Sequence, residues 1–294
     1  MGMKSGKSVH ADTLGLNTRT PFSSSAVSSF PQIKPLLLLT SYPPKSAEHH
    51  VQQMFSSSAV LTMTWLNPIL GLKRDDPSHV YQLDGTPFPV SVTGVLRVEK
   101  SDYAMERIQA TTHIWAPRGN STHRALEIAT RIRFDPLLQS DRLNRSDVAT
   151  LVSELDELRQ GDYKDWIEPL ITHPIWDSVR VIASERPTCC LKRRVAGTFD
   201  LAYTSSVHGI VLADLKTLGP NGSTYSTAAQ LGAYMALEAT WGNHYDVGQT
   251  IWATPGKTTF SRLYSRRECL LAWTAAWTRY KATRRHAGGF VTMG

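Results

Sequence analysis

Between residues 179 and 215 three short apolar runs follow one another: Val179-Arg180-Val181-Ile182-Ala183, Val195 to Tyr203, and Ile210 to Leu215. Each is strand-length and rich in β-branched residues, and Ser205 to Gly209 supplies the turn between the last two, so three consecutive strands are expected. The segments on either side have a different period. Thr122 to Phe134 places Ala125, Ile128, Ala129 and Ile132 on one helical face. Asp147 to Arg159 repeats the pattern behind Ser146 as an N-cap and stops at Gly161, and a short helix is expected over Tyr163 to Ile171. After the strands come a helix over Ala228 to Trp241, a hairpin of Thr250 to Ala253 and Thr258 to Leu263 across Pro255-Gly256, and a final helix over Arg266 to Thr283. Phe88 to Leu96 leads into this series. Helices, three strands, a helix and a strand in that order describe an α/β domain with a central mixed sheet flanked by helices.

With 294 residues, 41% of them hydrophobic, the chain has enough apolar surface for one substantial domain, expected over residues 58–264. Residues 1–57 are Ser- and Pro-rich without hydrophobic periodicity, the composition of a disordered tail; an acid-poor organellar targeting peptide has a similar one. Residues 265–294 are expected to form a basic amphipathic helix and tail. The formal charge of +7 is unevenly spread. Residues 1–57 hold five basic and two acidic groups, and residues 261–294 hold seven basic groups against Glu268, which leaves 58–260 with two more acids than bases. The surplus therefore sits in the terminal segments. Three cysteines, two of them adjacent, supply neither a Cys-only cluster site nor a secreted disulfide framework, so no iron–sulfur cluster and an intracellular location are expected. The longest aliphatic run, Leu36 to Leu39, is far short of the ~20 residues that span a bilayer, and no membrane partner is expected.

The chemistry concentrates where the second and third apolar runs end. Asp200 closes Val195-Ala196-Gly197-Thr198-Phe199-Asp200, and Asp214-Leu215-Lys216 closes the next run, so a hairpin can bring both carboxylates to one edge of the sheet. Lys216 shares a strand face with Asp214. Two neighbouring carboxylates repel unless a cation lies between them, and oxygen ligation of this kind suits Mg²⁺ or Mn²⁺. With an adjacent ammonium, the set is equipped for metal-assisted attack on a phosphodiester. Asp162-Tyr163-Lys164 repeats the Asp-x-Lys pattern in a polar turn with no strand before it, the setting of a solvated surface segment.

Four stretches extend this constellation: Gly119-Asn120-Ser121-Thr122-His123-Arg124-Ala125-Leu126-Glu127, Gly197-Thr198-Phe199-Asp200, Val211-Leu212-Ala213-Asp214-Leu215-Lys216-Thr217 and Gln230-Leu231-Gly232-Ala233-Tyr234. In this order and spacing, residues 88 to 255 resemble the PD-(D/E)XK nuclease superfamily, in particular its RecB-like exonuclease branch, which includes phage exonucleases and mitochondrial genome maintenance exonuclease. The resemblance implies a restriction-endonuclease-like αβββαβ core and a Mg²⁺- or Mn²⁺-dependent deoxyribonuclease acting on single-stranded or end-containing DNA in replication, recombination or repair. It implies Asp200, Asp214, the Leu215 carbonyl, His123 and Glu185 at the metal, with Lys216 beside the attacking water. It implies Gln230 and Tyr234 on the helix that lines the site and contacts the substrate backbone. Products would carry 5′-phosphate and 3′-hydroxyl ends, and replication or recombination proteins would be partners. The implied location is the cytoplasm of a bacterium or phage-infected cell, or an organelle.

Simpler roles stand beside these. Glu127 can pair with Arg124 or Arg131 on its own helix. Lys192-Arg193-Arg194 is a solvated charge run, or, leading into the Asp200 strand, a DNA-backbone contact through Arg193 and Arg194. Trp273 and Trp277 fit core packing better than base stacking. The alternative function is a catalytically inactive nucleic-acid-binding or assembly module of the same fold, and hydrolysis of another phosphoester is a third reading.

Overall fold

A strand covered by helices on both faces buries every side chain, so it reads as an unbroken apolar run instead of an alternating one. The computed structural model, which describes residues 64–75, 80–140 and 145–287, puts such a strand at its centre. The proposed N-terminal disordered segment lies outside the described residues, as does the end of the C-terminal tail.

In chain order, β1 (Leu72–Asp75), β2 (Val80–Leu83) and β3 (Thr86–Pro87) form a small antiparallel sheet. A short strand β4 (Val90–Ser91) turns at once into α1 (Val92–Leu96), where the Ser91 hydroxyl caps the helix by accepting from Gly94 N–H. Helices α2 (Asp102–Ala110), α3 (Thr112–Phe134), α4 (Arg145–Gln160) and α5 (Lys164–Ile171) follow. The three predicted strands come next as β5 (Val179–Cys190), β6 (Val195–Ser205) and β7 (Gly209–Thr217). Then come α6 (Ala228–Glu238), β8 (Val247–Thr254), β9 (Lys257–Phe260), β10 (Tyr264–Ser265) and α7 (Arg266–Ala287).

The meander β5–β6–β7 is antiparallel, and α6 carries the chain over to β8, which lies parallel to β7. The sheet is therefore mixed, as the order of the sequence patterns implies. On one face Val92 and Val95 of α1 pack with Leu231, Tyr234 and Leu237 of α6 and with Cys269, Trp273 and Ala276 of α7. On the other, Leu126 of α3 and Leu170 of α5 cover Val211, Ala213 and Leu215. Trp273 is thus core, and Trp277 packs beside it. Helix α7 is an integral layer of the domain and not an appended tail: a Cβ on Gly232 would fall 1.9 Å from the Cys269 carbonyl oxygen, so α6 and α7 touch backbone to backbone only because residue 232 has no side chain.

Several boundaries differ from the sequence patterns. Helix α3 begins at Thr112, ten residues before the expected start at Thr122, and runs through Pro117 with its first turns exposed. Helix α4 begins one residue before Ser146, so Ser146 is not its N-cap. Strand β5 continues past Ala183 to Cys190, through Glu185, Arg186 and Pro187. Pro187 is tolerated because β5 is an edge strand whose ladder is made with β6 alone. Buried Arg186 is met by the carboxylate of buried Glu238, 3.4 Å away. Among the described residues no helix is long and apolar enough to cross a membrane.

Candidate metal centre

The register of the central sheet creates the site. Strands β6 and β7 pair only from Leu201↔Ala213 to Ser205↔Gly209, and farther along the same edge β6 pairs instead with β4, at Val195 and Ala196. The sheet therefore forks just where Asp200 and Asp214 stand. Side-chain alternation breaks at the same point: Phe199 packs in the α6 layer and Leu201 in the α3 layer. The Asp200 carboxylate fills the fork, Oδ2 accepting from the Leu215 backbone N–H at 2.6 Å in place of a strand partner. Across β5, the register brackets Glu185 opposite Asp200, and Glu185 has φ 43°, a left-handed backbone uncommon for glutamate. Its carboxylate meets His123 of α3, with Nδ1 2.9 Å from Oε1; the same nitrogen is 3.6 Å from Asp200 Oδ1. His123, Glu185 and Asp200 each offer one donor atom, all within 4.8 Å of one another.

Asp214 is 1% exposed. Lys216 Nζ lies 2.7 Å from its Oδ2 and donates to the Leu215 carbonyl at 3.3 Å. Neither Asp214 oxygen has a properly aligned hydrogen-bond donor among the described residues, although a buried carboxylate is costly without compensation. The electrostatics express this crowding. Burial raises the Asp214 carboxyl to about 6; the Lys216 ammonium opposes the rise and the Asp200 charge adds to it. Burial likewise holds Asp200 above the usual carboxylate range, against His123 and Lys216. Burial disfavours the His123 imidazolium, but the Asp200 charge and the Glu185 hydrogen bond outweigh it and push the group to about 9. Burial also works against the Lys216 ammonium, and the two aspartates together keep it above the ordinary lysine value. Three carboxylates thus converge on two cationic side chains, and the imidazolium sits between two carboxylates where a cation is stabilised. The buried, underbonded oxygens of Asp214 and the mixed oxygen and imidazole donors nearby fit a metal ion, and His123, Glu185 and Asp200 are the residues that can hold it.

The remaining candidates separate. Tyr234 is buried against Phe199, and a Cβ on Gly197 would lie 2.8 Å from its ring, so the Gly197 position is kept open for the tyrosine. Asp200 and Asp214 act on its phenol, which burial raises well above its usual value, and Gln230 one turn earlier faces the hydroxyl. These two residues therefore line the site. Arg193 and Arg194 do not join it: they occupy the β5–β6 turn, seven and six residues before Asp200, which is roughly 20 Å along an extended strand. The Arg193 guanidinium lies 5.8 Å over the Trp277 ring. Glu127 pairs with Arg124 at 2.8 Å and Arg131 at 3.3 Å, the simpler of its two roles. Asp162 and Tyr163 sit in the turn before α5. The sequence patterns put Glu185 at a strand end, and the structure puts it inside β5; they overlooked Arg118 and Tyr225, which flank the end of β7 and carry no motif.

No family model matches this chain, and no curated protein matches it. A solved structure of SSO0001 is similar at 12% identity and a TM-score of 0.28, covering 54% of this chain and 73% of that one, a likeness too slight to bear on fold or function.

Proposed function

We propose that the chain is a Mg²⁺- or Mn²⁺-dependent deoxyribonuclease of the PD-(D/E)XK superfamily, in its RecB-like exonuclease branch, acting on single-stranded or end-containing DNA. The observation that carries this reading is the fork between β6 and β7, which gathers Asp200, Asp214, Lys216, Glu185 and His123 from α3 and three strands. The order α3, β5, β6, β7, α6, β8 supports a restriction-endonuclease-like αβββαβ core, with α4 and α5 inserted after its first helix.

Hydrolysis forms a bond from a water oxygen to phosphorus and breaks the phosphorus–O3′ bond. A bound Mg²⁺ or Mn²⁺ would supply Lewis acidity toward the phosphate and lower the pKa of water. Glu185, Asp200 and His123 would hold that ion; Asp214, expected from the resemblance as a direct ligand, is not among these converging donors, and its carboxylate and the Leu215 carbonyl face the Lys216 ammonium instead. The Lys216 ammonium stabilises negative charge growing on the phosphate oxygens, which in a site this buried is worth more than in water. Tyr234 and Gln230 wall the site on the α6 side and offer hydrogen bonds to the substrate backbone.

Purified protein with labelled single- and double-stranded DNA in Mg²⁺ or Mn²⁺ tests the reading. Cleavage is expected from the wild type and should fall by at least about 100-fold in Asp214→Asn and Lys216→Ala. Free-ended DNA should yield a product ladder that end-blocked DNA does not. Binding without cleavage, equal in wild type and Asp200→Ala, would identify an inactive binding module instead.

A further inference from the structure

Tyr225 is 53% exposed, although its ring packs on a buried side chain. It is not loose: it packs edge-to-face on buried Trp252, with ring centroids 5.0 Å apart. Trp252 is the register partner of Lys216 across β7 and β8, so the ring is anchored beside the lysine. The Lys216 ammonium and the Asp214 carboxylate both act electrostatically on its phenol. On the α3 side of the same strand end, Arg118 donates through Nη2 to the Thr217 carbonyl at 3.4 Å, and its guanidinium lies 5.4 Å over the Trp166 ring. Its Nε is buried without a hydrogen-bond partner, and no carboxylate pairs with it among the described residues. A fixed, exposed aromatic face and an uncompensated guanidinium thus flank the end of the strand that carries Asp214 and Lys216.

We propose that Tyr225 and Arg118 form a grip for an unpaired DNA strand, the tyrosine ring stacking on a base and the guanidinium holding a backbone phosphate next to the one that is cleaved. The inference rests on the nuclease reading of the neighbouring carboxylates. Stacking on a ring at this position requires a base that is not paired, so the grip selects single strands or frayed ends over intact duplex. Arginine suits the second role because its planar donors match phosphate and its charge persists at every working pH.

The test uses the full chain in EDTA, titrated against a fluorescein-labelled oligothymidylate and against a blunt duplex, with fluorescence anisotropy as the readout. Tyr225→Ala should lose about tenfold in affinity for the oligothymidylate and keep its affinity for the duplex, while Tyr225→Phe keeps both. Arg118→Gln should weaken oligothymidylate binding and flatten its log affinity against log salt by about 0.7, the contribution of one single-strand phosphate. Melting temperatures equal to the wild type show that each variant is folded. Unchanged single-strand binding in Tyr225→Ala, or equal losses on strand and duplex, overturns the grip, as does an unchanged salt slope in Arg118→Gln. A wild type that binds and cleaves DNA alongside such variants leaves the nuclease reading standing without the grip. A wild type that neither binds nor cleaves either DNA removes both.

Discussion

Glu185 is the residue at which backbone and chemistry conflict. Its left-handed φ of 43° costs a non-glycine side chain about 1–3 kcal/mol, yet it turns the carboxylate toward His123, 2.9 Å away. Asparagine tolerates this conformation better and is a weaker metal ligand. Glu185→Asn is therefore expected to raise stability by about 1 kcal/mol in urea denaturation with EDTA. In the same variant, DNA cleavage should fall and added Mn²⁺ should no longer raise the melting temperature. A stability loss in EDTA would show that the His123 contact outweighs the strain. Asp200, Asp214 and Lys216 are legible in the sequence because each interrupts or ends an apolar run in which a charged group has no ordinary place. Glu185 is harder to place: Glu185-Arg186-Pro187 looks like the end of a strand. The strand continues because Arg186 finds Glu238 in the interior and Pro187 lies on an edge.

At the scale of elements, the layer formed by α6 and α7 decides how precisely Tyr234 and Gln230 are held. The contact at Gly232 is with backbone, which cannot rotate away, so Gly232→Ala should destabilise by about 3 kcal/mol, at the upper end of overpacking costs. A chemical melt checks the figure, and a change under 1 kcal/mol would mean that the two helices can slide apart. Because the same layer seats Tyr234, the proposed nuclease activity should fall in this variant even at temperatures where it remains folded. The lengths of β5 and α3 show where pattern reading stops. Periodicity reports burial, and the first turns of α3 are exposed, so nothing in their sequence marks them as helical.

For the whole molecule, the donor group that could hold a metal and the surplus of basic charge lie at different places. An ion that binds the native carboxylates and not the unfolded chain stabilises by about 2.7 kcal/mol at one hundred times its Kd. Thermal melts in EDTA and in saturating Mn²⁺ should therefore separate by several degrees for the wild type and coincide for Asp200→Asn. If the chain acts on DNA as proposed, the basic groups of α7 are the candidates for long-range attraction. Arg262 pairs with Glu268 and Arg279 with Glu99, whereas Arg267, Lys281, Arg284 and Arg285 are exposed and have no acidic partner among the described residues. Deleting residues 261–294 would remove Cys269, Trp273 and Ala276 from the core and unfold the domain, so charge-reversing substitution at those four positions is the sound test. It should weaken binding to all DNA and flatten the salt dependence; an unchanged slope would place the contacts elsewhere.

By itself the sequence determined the order of helices and strands from α3 onward, the mixed sheet that follows from it, and the pairing of Asp200 with the Asp214–Lys216 strand; it did not mark β1, β2, β3 or α2. These are local properties, carried by periodicity within a segment and by short turns between neighbours. The tertiary structure alone decided the contact by which Glu185 and His123, 62 positions apart and joined to Asp200 beforehand only by resemblance, close around it, and that Arg193 and Arg194 stand away from the site. It also decided that Tyr225 and Arg118 flank the same strand end. Those placements depend on strand register and on backbone irregularities at Glu185 and Asp200, which arise only when distant segments pack and compete for the same hydrogen bonds.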